Sequence, residues 1–248
     1  MNLPSSPSTL LFLPRSASKN SPLHSVFPEP GRALLTAVAH SAEALREGRQ
    51  GLADCVDWQS PEYAALDYYD GALYQVPGLR GAVAAAMRSG AIDVVILSGG
   101  YGAVYADEPI HWYEKQMDFA YWKRHGLPAV LEECVELSGA RTAYGFVART
   151  TAYARILRAM DWPRLRRRSP LAEAGLFYLD FPPGGNGLSR RCLRRSVGRL
   201  WSSSKPGLTG RGTLRRITRA TASRTKSSEP DPCESSNSHG SDRGGLFV

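Results

Sequence analysis

The chain has 248 residues, 42% of them hydrophobic, and its 31 Lys and Arg against 23 Asp and Glu leave a net charge of +8. No run approaches the roughly 18 apolar residues of a membrane span. Leu10 to Leu13 is too short for a signal-peptide core and no basic cluster precedes it, so a cytoplasmic protein with no membrane partner is expected. The positive charge is unevenly placed: residues 1–161 carry 14 basic and 17 acidic side chains, a net of −3, whereas the remaining 87 carry 17 and 6, a net of +11.

In chain order, Thr9 to Leu13 has the pattern of a strand, and its exit PRSASKNSP is small, polar and basic, as a loop at the carboxyl end of a strand should be. Pro30 to Arg49 carries Leu34, Leu35, Val38, Ala42 and Leu45 on one helical face, with Gly48 and Gly51 ending the helix. Tyr63 to Tyr74 is rich in aromatic residues and interrupted at Gly71. Gly78 to Ser89 forms a small-residue helix, and the continuous β-branched run Val94 to Leu97 reads as a strand buried on both faces. Ser98, Gly99, Gly100 and Gly102 then surround Tyr101 on backbone that a ligand can approach closely, which presents an exposed phenol. Tyr113 to His125 and Pro128 to Leu137 have helical patterns, Thr142 to Val147 is a last strand and Thr150 to Met160 a last helix. Strands alternating with helices predict an α/β domain with a mixed sheet flanked by helices.

From Trp162 onward the composition shifts to Arg, Ser, Gly and Thr, and only Leu171 to Phe181 keeps a foldable pattern. The organisation read from this is an α/β domain over 1–181 and a basic tail over 182–248 that is expected to be disordered. Three readings of the tail stand open: a solvated arm, the translation of a shifted reading frame, or a segment that binds nucleic acid nonspecifically by neutralising phosphates. Cys55, Cys134, Cys192 and Cys233 show no Cys-x-x-Cys spacing and read as ordinary thiols.

Three constellations carry chemistry. Ser16, Ser18 and Lys19 leave one strand while Ser98, Gly99, Gly100, Tyr101 and Gly102 leave another; hydroxyls and an amine beside glycine N–H groups suit a phosphate or another anion. In DEPIHWYEKQM, Pro109 fixes a bend and Tyr113 lines a pocket, with His111 or Glu114 as a general acid or base. Alternatively Glu114 opens a helix, where an acidic side chain suits the macrodipole. In VPGLRGAVAA, the Pro-Gly turn before an alanine-rich helix has the pattern of a helix-hairpin-helix element, in which the N–H groups of Gly78 and Gly81 and the cation of Arg80 would touch a DNA phosphate without reading sequence. No Walker-type phosphate loop, HExxH or Ser-His-Asp order occurs, no carboxylate-histidine cluster stands at metal-ligand spacing, and no cofactor is expected.

Taken together, strand-PxSASK, then YxGxLY at Tyr69 to Tyr74, then LSGGYG followed by PIxxYEKQM, resembles the YaaA peroxide-stress family over residues 9–160. Ser16, Ala17 and Lys19 answer to the first family element, Gly71 and Tyr74 to the second, and Leu97, Ser98, Gly99, Tyr101 and Gly102 to the third, followed by Pro109, Tyr113 and Met117. Arg15 stands where the family usually has a small residue or cysteine, and the chain departs from the family after about Phe181. The resemblance implies a cytoplasmic protein that protects against hydrogen peroxide, associated with DNA binding and lowering of free iron, on an α/β fold with a helix-hairpin-helix element. Two functional classes follow: a stress-response protein that binds nucleic acid, or an enzyme on a nucleobase, nucleoside or nucleotide. In the second, Lys19 and the Ser98 turn hold a phosphate or base edge and Tyr101 or Tyr113 stacks or donates a hydrogen bond.

Overall fold

A computed structural model describes residues 7–178, apart from 28 and 30. The expectations for the chain beyond Phe181, with Cys192 and Cys233, lie outside the described residues. Apolar residues in Thr9–Pro14 make β1, whose Leu10 and Phe12 are buried on one face while Leu13 is buried on the other. The predicted helix over 30–49 is two helices, α1 (Leu34–Ala37) and α2 (Ala42–Gln50). The break has a cause in a distant residue. The buried Glu133 carboxylate accepts the N–H groups of Ala39, His40 and Ser41 at 2.7–2.9 Å, together with the Ser41 hydroxyl at 2.6 Å. Those amides are thereby taken from a continuous helical ladder. Gly48 lies inside α2 rather than at its end, against the Trp122 ring.

Two short strands, β2 (Val56–Asp57) and β3 (Tyr63–Ala64), lead to the single-turn α3 (Ala65–Tyr68) and then to α4 (Leu79–Arg88). The helix nearest ahead of the Pro-Gly turn is thus the single-turn α3, which ends at Tyr68. Ile92–Ser98 forms β4, buried from Asp93 onward, and Gly102–Tyr105 returns beside it as β5. The next segment departs from the helical expectation for 113–125. Pro109–Ile110 (β6) pairs with β3, and Trp112–Tyr113 (β7) pairs with β2. The helix α5 spans only Phe119–Arg124 and is capped by the Asp118 carboxylate on the Tyr121 N–H. Glu114 therefore opens no helix. The chain continues through α6 (Leu127–Ser138), β8 (Thr142–Val147) and α7 (Ala152–Arg158). It does not turn into tail at Trp162. Asp161 caps α8 (Trp162–Arg168), Leu165 is buried, and β9 (Glu173–Tyr178) is the last strand of the sheet among the described residues.

The five strands stand in the order β5-β4-β1-β8-β9, with β4, β1, β8 and β9 parallel and β5 antiparallel at one edge. This is the expected α/β fold with a mixed sheet flanked by helices. Side chains alternate along β4, so Val95 and Leu97 join a core with α2, α5, α6 and α7, while Val94 and Ile96 join a second core rich in tyrosine. From β1 the chain crosses to β4 on one side, and β8 then lies on the other side of β1. The connections diverge there, so the carboxyl ends of β1 and β8 flank a topological switch point, where open α/β sheets bind ligands. Among the described residues no helix is long and apolar enough to cross a membrane.

Candidate functional site

β1 and β4 end side by side, with Pro14 opposite Leu97 and the Arg15 N–H bonded to the Leu97 carbonyl at 2.9 Å. The loop leaving β1 is then drawn over α3. Asn20 N–H donates to the Tyr68 carbonyl and Asp70 N–H to the Ser18 carbonyl, both at 2.9 Å, and Lys19 bridges Tyr69. Gly71 permits this approach. A methyl group there would overlap the Ser16 hydroxyl and crowd its Cβ at 2.9 Å. The two strand exits meet at Tyr113, whose ring the Lys19 ammonium faces and whose hydroxyl Ser98 touches; Ser16 is half-buried, Ser18 exposed and the Lys19 side chain covered.

The Lys19 ammonium sits 4.5 Å from the centre of the Tyr113 ring and 4.8 Å from that of Trp112, and 3.3 Å from Oε1 of the exposed Glu114. Burial pushes the amine below its ordinary range; Glu114 opposes this and the neighbouring Arg15 charge reinforces it. Arg15 is only 9% exposed, its guanidinium carbon lies 5.7 Å from the Tyr113 ring centre, and its Nη1 donates to the Ser16 carbonyl at 3.1 Å. No carboxylate pairs with it among the described residues. Its charge also acts on Tyr153 at the start of α7, where burial raises the phenol and Arg15 pulls it down. Arg15 therefore stands at the β1 side of the switch point.

Behind the cations lies a chain of buried hydroxyls. Ser98 donates to Tyr113 at 2.8 Å, and Tyr113 and Tyr69 share a hydrogen bond of 2.7 Å. Tyr74 completes the group by donating to the Pro14 carbonyl at 2.7 Å. Burial holds the phenols of Tyr69, Tyr74 and Tyr113 above their ordinary range, so all three stay protonated at neutral pH. They supply neutral donors and fixed positions, not bases. The glycine turn is built for packing: Gly99 passes against the backbone of Lys115 and Gln116, Gly100 against the Tyr113 ring, and Gly102 enters β5 at φ 73° beside Trp122.

Tyr101 does not present an exposed phenol. It is 7% exposed, and its hydroxyl accepts the His111 N–H at 3.2 Å, which ties the ring to the 109–111 segment. Burial pushes its phenol up to about 12. Gly100, Tyr101, Pro109 and His111 line a different cleft, so the expected single site is divided by the Ser98 to Gly102 turn. The proposed DNA-contacting residues are separate again. Gly78 and Gly81 are exposed, but the Arg80 guanidinium is folded inward, bonded to the Tyr69 carbonyl at 2.8 Å and Asp70 at 3.2 Å.

Sequence reasoning missed Arg15 and Tyr69. The first had a usable signal, its place directly after a strand; the second lay within a recognised motif but its partner stands 44 positions away. Among the described residues no group of His, Cys, Asp and Glu stands ready to hold a metal ion. No family model matches the chain, and no curated protein matches it.

Proposed function

We propose that this chain is a peroxide-stress protection protein of the YaaA type that acts by holding the phosphate of a nucleotide or nucleic-acid strand between Arg15 and Lys19. The observation that carries the reading is Arg15, a buried guanidinium with no carboxylate partner among the described residues, beside a covered lysine that has only the exposed Glu114. A buried cation is unfavourable unless paired, and an arriving anion supplies the missing partner. Two cations against one carboxylate leave a local positive surplus in a body that is slightly acidic as a whole. Guanidinium suits phosphate through paired donors, with the lysine as a point charge and Ser16 and Ser18 at the rim.

Binding is favoured over turnover by the character of the other groups. The tyrosine hydroxyls are held protonated, and the Glu114 carboxylate is exposed and engaged with Lys19. Lowering of free iron, in this reading, is a downstream consequence of the bound state and needs no metal ligand in the pocket. The test is peroxide survival of cells that lack their own YaaA-type protein and express this chain. Survival should be restored by the natural chain and lost in Arg15→Ala and Lys19→Ala at equal protein levels; survival unchanged in both variants overturns the reading.

A further inference from the structure

The cleft on the far side of the glycine turn is used by nothing described so far. It has a volume of about 300 Å³ and is lined by Trp58, Tyr101, His111, Arg46, Arg49 and Glu108 among others. Its size lies at the lower end of the roughly 300–1,000 Å³ typical of small-molecule sites, enough for one ring system and not for a packed polymer.

The aromatic residues are fixed in place. Trp58 is 57% exposed, yet its indole N–H is tied to the Ala53 carbonyl at 3.2 Å and the His111 ring stands edge-on at 5.4 Å. His111 is itself clamped, with Nδ1 2.7 Å from the Ser60 carbonyl and Nε2 3.2 Å from Glu62. A large exposed aromatic that is held rigid loses little freedom when a ring stacks on it. Arg49 is equally ordered. It donates to the Tyr101 and Ala103 carbonyls at 3.1 and 2.8 Å and to Glu108 at 3.1 Å, and its guanidinium carbon lies 5.4 Å from the Tyr101 ring. Glu108 also accepts the N–H groups of Leu34 and Tyr105, and burial raises its carboxyl against the pull of Arg49.

Charge decides between ligand classes. Both arginines at the cleft have a nearby carboxylate, Arg49 with Glu108 and Arg46 with Glu43, and Glu62 also lines it. The cleft therefore has no positive surplus and does not select a free anion. Most of its polar side chains are already bonded within the protein, so the surface it offers is the exposed Trp58 ring, which suits a flat, uncharged ring system. We infer that this cleft is a second binding site, distinct from the Arg15–Lys19 pocket, and that it takes a flat, uncharged ring of the nucleobase kind stacked on Trp58.

The probes are the four uncharged ribonucleosides, with inorganic phosphate as the contrast, titrated against the full chain by ligand-observed NMR and tryptophan fluorescence. At least one nucleoside should bind, phosphate should not compete with it, and Trp58→Ala should weaken it by about tenfold, the scale of one lost stacking contact. Arg15→Ala should leave nucleoside affinity unchanged, so failure of the phosphate pocket and failure of this cleft are told apart. Trp58 is mostly exposed, and His111→Ala offers an independent second variant with the same expected loss. No nucleoside binding, or binding that survives both substitutions, overturns the inference.

Discussion

Lys19 shows how one side chain takes its character from its surroundings. In the sequence it is a basic residue in a polar loop; in the fold it is a covered amine between two aromatic rings, one carboxylate and one guanidinium. A lysine holds an anion only while protonated, and burial has brought its pKa below the ordinary value. Nucleotide affinity should therefore fall as pH rises from neutrality toward the ordinary lysine range, about 10.4. Dissociation constants measured between pH 7 and 10 should show this decline in the natural chain and a weaker, flat profile in Lys19→Ala. Gly71 makes a different kind of demand, since any side chain there meets Ser16. Gly71→Ala should cost about 1–3 kcal/mol by thermal or urea unfolding, as overpacking does elsewhere. The motif YxGxLY announced a glycine of consequence, but not that its neighbour would be Ser16. Tyr101 is the opposite case. Four small neighbours suggested exposure, whereas those glycines serve close packing against Tyr113, Trp122 and the 115–116 backbone.

Among the elements, those with local causes were readable from the pattern. β1, β4, β8, α4, α6 and α7 each carry their own apolar periodicity, and the structure places them within a few residues of the expected bounds. The elements that departed depend on distant partners. The α1–α2 break is made by Glu133 from 92 to 94 positions away, and the strand β7 exists only because β2 pairs with it. Glu133 allows a direct check. Burial alone would raise its carboxyl, but the Ser41 hydroxyl and the amides of His40, Ser41 and Ala39 outweigh burial and hold it below the ordinary value. A carboxyl whose folded pKa is depressed stabilises the fold above its unfolded pKa, about 4.3, and that contribution is lost as pH falls through the folded value. Glu133→Gln should thus cost about 2 kcal/mol at pH 7, with a difference from the natural chain that shrinks at acid pH in denaturant titrations.

For the whole molecule, the order β5-β4-β1-β8-β9 brings residues from opposite parts of the described chain to one edge. Arg15 and Ser16 from the first strand exit, Ser98 from the second and Tyr113 from a short strand meet there, while Tyr101 and His111 face the other cleft. The sequence motifs supplied most of these residues but not their division into two sites, because that division follows from the tie between Tyr101 and the 109–111 segment. Net charge gave no guide to either site. The excess positive charge belongs to residues 162–248, whereas the pocket lies in a part of the chain with a net of −3.

The central claim is that Arg15 and Lys19 together hold a phosphate. Calorimetric titration of the full chain with adenosine monophosphate, inorganic phosphate and a short single-stranded oligonucleotide, compared with Arg15→Ala, addresses it most directly. Binding of the phosphate-bearing ligands should weaken with salt and drop by at least about tenfold in the variant, the scale of one lost charge-assisted contact. Equal affinity in the natural chain and Arg15→Ala would contradict it.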